Sequence, residues 1–434
     1  MVKDYELKIN DIYKLKTIRK IAKKIKLKPS NLIAHFKEVD SSINEYYDTL
    51  SRITHSRYVP ENISVDKVFN NFKSVLITGA TGYVGNFILR FLLEHSESNI
   101  FLIIRGKNSD HIKNKIKDKL WYYHRIDIDK FDKRISYLQG DIAESKFGLT
   151  NIDYIDLNET MDIVINCAAK VDHFGQYDEF YKANVESVRN LIDFCLLKEQ
   201  VLLHHISTVS VVKAMKPNSE GISILEERNI SPSSINEIDN FYIKTKILAE
   251  LLIEDAKKIG LKSNVYRLGN VTFCKKTGIF QQNPHKNAFM RLVGSFVKLG
   301  LFPNDHRINF DLSYIDVVIK ALGLFLCKSN TINHHYNIIN PNKISLSDLA
   351  TKIAKLEPKV KINDINDFYK HLISVYDSRH EPLITHLYSS EYWSKPSIVN
   401  HTYTQQILEK LGHEWKEFDA QDASNIISIV SSMS

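Results

Sequence analysis

The chain has 434 residues, 43% hydrophobic, 25% charged and 10% aromatic, the balance of an ordinary globular protein with one large core or two moderate ones. Its net charge of +7 does not imply a nucleic-acid-binding body, because residues 1–30 hold ten Lys and Arg against three acids and so carry the whole excess. Four scattered cysteines (Cys167, Cys195, Cys274, Cys327) without CxxC or His/Cys ligand spacing argue against a disulfide framework and against any bound metal. No apolar stretch is long enough to span a bilayer, and the Lys-rich N-terminus lacks the apolar segment of a signal peptide. The expectation is a cytoplasmic protein with neither nucleic-acid nor membrane partners.

In chain order, residues 11–25 (DIYKLKTIRKIAKKI) place Leu15, Ile18, Ile21, Ala22 and Ile25 at helical spacing. Residues 26–72, with Pro29 and Pro60, read as a linker holding one helix near Ile43–Ile53. Ser74–Thr78 is a short apolar strand, followed by a Gly-rich turn, an apolar helix over Phe87–Leu93 and a second strand at Asn99–Ile104. Further strands are predicted at Ile163–Asn166, Leu202–Ile206 and Asn264–Leu268, with helices at Asn184–Leu197 and Tyr242–Ile259. Strands alternating with helices require right-handed crossovers. Residues 73–274 therefore read as an α/β domain with a doubly wound parallel sheet. From Lys275 the alternation weakens while Pro, Asn and aromatics rise, which predicts a smaller, mostly helical substrate-binding domain over 275–434. There is no internal repeat.

The segment VLITGATGYVG sets Gly79, Gly82 and Gly85 between a predicted strand and a predicted helix, the context a Rossmann-type dinucleotide site demands. A pyrophosphate must approach backbone closely and rests at a helix N-terminus, where free N–H groups and the dipole favour negative charge. Thr81, Tyr83 and Val84 of the same turn are counted with the glycines as cofactor contacts. The next strand ends in Arg105 rather than in the acid that holds a ribose 2′-hydroxyl. A guanidinium there suits a 2′-phosphate, so NADPH is the expected cofactor, with Lys115 or Lys117 as a second cation. Asp141 and Ile142, in QGDI, end a further strand beside the adenine. Ala168 and Ala169, in NCAA, leave room where a strand edge passes the cofactor.

Tyr242 and Lys246 form YIKTK at the start of a predicted helix, so the four-residue spacing puts both side chains on one face. A phenol near pKa 10 is a poor acid–base group at neutral pH, and a neighbouring ammonium is expected to lower it. Thr208, in HISTVSV, ends the preceding strand and is the chosen donor to a substrate carbonyl oxygen, with Ser207 and Ser210 as alternatives. His204 and His205 read as strand packing. No GxSxG elbow is present. The long polar interval between Thr208 and Tyr242 is expected to form a loop over the site.

These motifs together resemble the extended short-chain dehydrogenase/reductase superfamily. More narrowly they resemble the thioester reductase domains that end nonribosomal peptide synthetases, carboxylic acid reductases and aminoadipate reductase. The likeness runs from about Val75 to Phe418 and includes KANVES (182–187), YRLGNVT (266–272), TGIFQQNPHKNAF (277–289), FDLSYIDVV (310–318) and LEKLGHEW (408–415). Residues 1–25 are similar to the final helix of a peptidyl carrier domain. The resemblance implies NADPH-dependent release of a carrier-bound peptidyl or acyl thioester as an aldehyde, with further reduction to the alcohol in some members. It implies Tyr242 as proton donor, Lys246 as its partner and ribose anchor, Thr208 as oxyanion donor, and Asn184, Gly269 and Asn270 beside the cofactor. Two alternatives stand beside it: a free-standing fatty acyl-CoA reductase, and a non-catalytic NADP-sensing protein.

Overall fold

The computed structural model describes residues 72–433 apart from 173–174, 233–234, 237, 239, 329–330 and 375–396. The helices expected within 11–25 and near 43–53 lie outside the described residues.

The sheet-forming segments are β1 (Ser74–Thr78), β2 (Asn99–Ile104), β3 (Ile135–Gln139), β4 (Ile163–Asn166), β5 (Leu202–Thr208), β6 (Lys262–Leu268) and β7 (His335–Ile338). All are parallel, in the spatial order β7-β6-β5-β4-β1-β2-β3. The order reverses between β1 and β4, which opens a crevice at the carboxyl ends of the strands, where such sheets bind ligands. Every residue of β1 is buried, as a strand covered on both faces requires.

Side-chain alternation divides the strands between two cores. Val75 and Ile77 join a core under α1 (Tyr83–His95), α2 (Ser109–His124) and α7 (Ile315–Lys328). Leu76, Val164 and Leu203 face the other way, against α3 (Asn151–Thr160), α4 (Ser187–Leu196) and α5 (Phe241–Lys257). A third core gathers α6 (Ala288–Leu299), α8 (Leu346–Leu356) and α10 (Ala420–Ser431) around Phe296, Phe302 and Phe368.

The expected division at 274/275 is not a boundary of the sheet. Downstream of it, α7 packs on α1, β7 extends the sheet beside β6, and α9 (Thr402–Lys410) adds Tyr403 and Ile407 to the same core. The sequence hides this because β7, HYNI, is too polar to stand out as a strand. Its Asn337 is held by a tertiary partner: the side-chain amide donates to the Asn400 carbonyl at 2.6 Å.

The interval between Thr208 and Tyr242 is also tied inward. Residues 223–225 pair with 397–399, and the buried Glu227 carboxylate accepts from the N–H groups of Tyr403 (2.7 Å) and Thr404 (3.0 Å) at the start of α9. Only Val209 and Ser210 of this interval's described residues line the crevice. Among the described residues no helix is long and apolar enough to cross a membrane.

Candidate active site

The crevice is a cavity of ≈ 1230 Å³ lined by the carboxyl ends of β1 to β6. At its floor, Gly79 has φ +72° and sits so close to the β4 end that a Cβ would meet Ala168 N at 2.6 Å. A Cβ on Gly85 would meet Gly79 O at 2.3 Å, so the turn can close only with glycine at both places. Gly82, the N-cap of α1, offers no side-chain cap, and the first turn holds no acid. The N–H groups there are left for an anion, which fits a pyrophosphate. Thr81, Gly82, Tyr83 and Val84 all line the cavity. The Tyr83 hydroxyl is already engaged, donating to Thr272 O at 3.0 Å, so this residue joins α1 to the later part of the chain.

At the other end, the Arg105 side chain is 80% exposed, with Nη1 3.9 Å from Asp141 Oδ2. Lys115 Nζ donates to the Arg105 backbone carbonyl at 2.7 Å, which places a second cation at the same strand end. Lys117 turns away and pairs with Asp129 at 3.0 Å. Of the two expected lysines, only Lys115 lines the cavity. Asp141, Ile142, Ala168 and Ala169 line it too, as do Gly269 and Asn270 at the end of β6. Asn270 N–H donates to Asp311 Oδ2 at 2.8 Å.

Asn184 is not at the wall. It is buried, its amide donates to Lys170 O (3.1 Å) and Thr245 Oγ1 (2.9 Å), and its carbonyl accepts from Lys170 N–H (2.7 Å). The polar asparagine expected beside the cofactor instead props the loop after β4, because each of its hydrogen-bonding groups already has a protein partner.

Thr208, Tyr242 and Lys246 converge on the same cavity. The α5 N-cap sets this geometry: Asn240 accepts from Ile243 N–H at 3.1 Å, starting the helix so that Tyr242 lies in its first turn. The Lys246 ammonium donates to Ile206 O at 2.7 Å. Thr208 Oγ1 accepts from Ser210 N–H at 3.2 Å and lies against the Tyr242 phenol.

One electrostatic expectation is corrected. The Tyr242 phenol is not lowered but pushed up to about 12 by burial, with only the Thr208 hydrogen bond opposing the rise. Lys246 is itself pulled down to about 8 by burial, and its ammonium faces a backbone carbonyl. The phenol is thus a neutral, fully protonated donor at ordinary pH.

Behind the cavity lie residues that sequence reasoning missed. Arg267 and Glu250 are both wholly buried and paired, Nη2 to Oε2 at 2.8 Å. Arg267 also donates to Glu226 O and Arg228 O, both at 2.9 Å, anchoring the interval after Thr208. The signals available were an arginine inside an apolar strand and an acid two turns beyond Tyr242 on the same helical face. His204 bonds Tyr266 OH at 2.9 Å and His205 bonds Asn166 at 3.0 Å, and burial pushes both imidazoles down. A further stretch of wall comes from Phe289, Leu292 and Phe310 of the later part of the chain, with the Phe289 and Phe310 rings 5.1 Å apart.

Against known proteins, residues 77–322 match the NAD-binding family described as male sterility protein. The chain belongs to that family. As such it is a nicotinamide-dinucleotide-dependent oxidoreductase, and its sheet order and glycine turn agree. It is 26% identical over 290 residues to a linear gramicidin synthase of Brevibacillus parabrevis, covering 67% of this chain and 6% of that protein. It is 27% identical over 240 residues to L-2-aminoadipate reductase of Schizosaccharomyces pombe, covering 54% of this chain and 17% of that one. The family member therefore spans a small part of the curated relatives it matches. In fold it is similar to a thiolation-reductase di-domain from an archaeal non-ribosomal peptide synthetase, with TM-score 0.77, 24% identity, and 99% of this chain and 88% of that chain covered.

Proposed function

We propose that this chain reduces a peptidyl or acyl thioester held on the phosphopantetheine arm of a carrier domain and releases it as an aldehyde, with NADPH as reductant. The observation that carries the reading is the convergence of Thr208, Tyr242 and Lys246 on the cavity that begins at the glycine turn. The names of the relatives, a gramicidin synthase and an aminoadipate reductase, support it.

When bound, NADPH supplies hydride to the thioester carbonyl carbon. The Thr208 hydroxyl donates to the carbonyl oxygen as negative charge develops there. Tyr242 gives that oxygen its proton, producing a hemithioacetal, and the Lys246 ammonium stabilises the phenolate left behind. The C–S bond then breaks, the hydroxyl proton passes to sulfur, and aldehyde and thiol separate. A reduction needs the acid form of the tyrosine, which a phenol at about 12 provides across the neutral range. Lys246 would also hold the ribose hydroxyls, and Phe289, Leu292 and Phe310 of the cavity wall would receive the acyl chain.

Arg105 and Lys115 supply the preference for a 2′-phosphate. Arg105→Ala is expected to raise the KM for NADPH roughly tenfold or more, the value of one charge-assisted hydrogen bond, and to leave that for NADH nearly unchanged. Equal losses with both cofactors would remove Arg105 from phosphate recognition.

The function is tested by following NADPH oxidation with a panel of carrier-bound, pantetheine and CoA thioesters and weighing the products. Aldehyde or alcohol from carrier-bound thioester is the expected result. Turnover confined to acyl-CoA would make the chain a free-standing acyl-CoA reductase, and NADPH binding without any turnover would make it a sensor.

A further inference from the structure

Helix α5 grips the end of β5 at three successive residues. Lys246 Nζ donates to Ile206 O at 2.7 Å, the Ser207 hydroxyl donates to Glu250 Oε1 at 2.5 Å, and the Thr208 side chain lies against the Tyr242 phenol. Tyr242, Lys246 and Glu250 stand four residues apart along the helix, so one face carries all three contacts. Glu250 is 0% exposed and does not line the cavity, so it touches neither the cofactor space nor the substrate space. We infer that Glu250 is a positioning residue for the reduction: from behind the cavity it fixes the Ser207–Thr208 end of β5 and supplies the negative charge that keeps the buried Lys246 an ammonium. The inference rests on the thioester-reductase reading of this site.

The charges around Lys246 support this. On its own helix it has Tyr242 and Glu250; from the loop after β4 it meets Cys167, and from β5 His205. Burial pushes the Cys167 thiol up to about 12, holds the His205 imidazole far below its usual value, and keeps the Tyr242 phenol protonated. Among the described residues that act on Lys246, Glu250 is therefore the anion present at neutral pH. Glu250 in turn faces Arg267 of β6 and His335 of β7, which hold its own carboxyl below the usual range despite complete burial. The pair thus keeps Glu250 ionised, and Glu250 opposes the burial that pulls Lys246 down to about 8.

The sign follows from Lys246 being a base. Turnover and NADPH affinity both need its ammonium, so both fall as pH rises through about 8 in the native protein. Removing a neighbouring anion makes the ammonium harder to hold, which moves that limb to lower pH. The test compares Glu250→Gln, which keeps shape and loses charge, with Glu250→Asp, which keeps charge and shortens the side chain. The alkaline limb is expected to move down by about one pH unit in E250Q and to stay near its native place in E250D. A merely structural role predicts the reverse ranking, with the isosteric Gln harmless and the Asp impaired.

NADPH affinity against pH, by fluorescence titration, carries the same limb through Lys246. It reads the result even for a protein that turns over no thioester, so failure of the thioester reading and failure of this inference are separable. If E250Q does not fold, E250Q/R267M removes both charges together and serves for the same titration. An unmoved limb in E250Q, or in the double variant, overturns the inference.

Discussion

Tyr242→Phe should lose turnover by about 10²–10⁴-fold while binding NADPH within about threefold of the native protein, since positioned proton donors contribute on that scale. The substitution removes one oxygen from a side chain whose ring is held by its place on α5. Neither the glycine turn nor the Arg105 end is touched, as these lie on β1, α1 and β2. In the proposed reaction the hydroxyl protonates the carbonyl oxygen once hydride has arrived, and burial keeps it protonated across the neutral range. The variant is checked by single-turnover kinetics alongside cofactor titration. Turnover within tenfold of native would take the proton-donor role away from Tyr242 and shift attention to Thr208 or to water.

The second large effect is on stability. Arg267→Leu leaves the Glu250 carboxylate wholly buried with its cation gone, and also leaves the Glu226 and Arg228 carbonyls without their guanidinium donor. Breaking one side of a buried ion pair typically costs about 3–5 kcal/mol, because the surviving charge has lost its counter-charge and cannot reach water. The loss should be read from denaturant unfolding with an unchanged slope. Arg267→Lys should recover only part of it, since one ammonium cannot reproduce the fork that reaches Glu250 and two carbonyls at once. A cost below about 1 kcal/mol for the leucine variant would mean that the pair contributes specificity of packing rather than stability.

Much of this protein was legible in short stretches of chain. The strand–turn–helix of Ser74–His95 declares itself because a turn that admits a pyrophosphate needs glycine within a few residues, and both the turn and the flanking periodicities are local. Tyr242 and Lys246 share a face for the same reason: four residues on a helix determine it. Arg105 at the end of β2 and Thr208 at the end of β5 follow from strand boundaries alone.

What the chain's neighbours-in-sequence do not encode is who meets whom across the sheet. Asn184 had the right composition for a cofactor contact, yet Lys170 and Thr245 claim all of its hydrogen bonds. β7 joins the first sheet from beyond the expected domain boundary because Asn337 finds its partners in distant segments. The direction of the Tyr242 shift could not be read either, since it depends on burial outweighing the Thr208 hydrogen bond. Periodicity and turn chemistry are properties of a few adjacent residues, so sequence determined most of the elements and the candidate reactive groups. Desolvation and pairing are properties of the packed whole, so only tertiary structure decided their charge states and the Glu250–Arg267 support behind them.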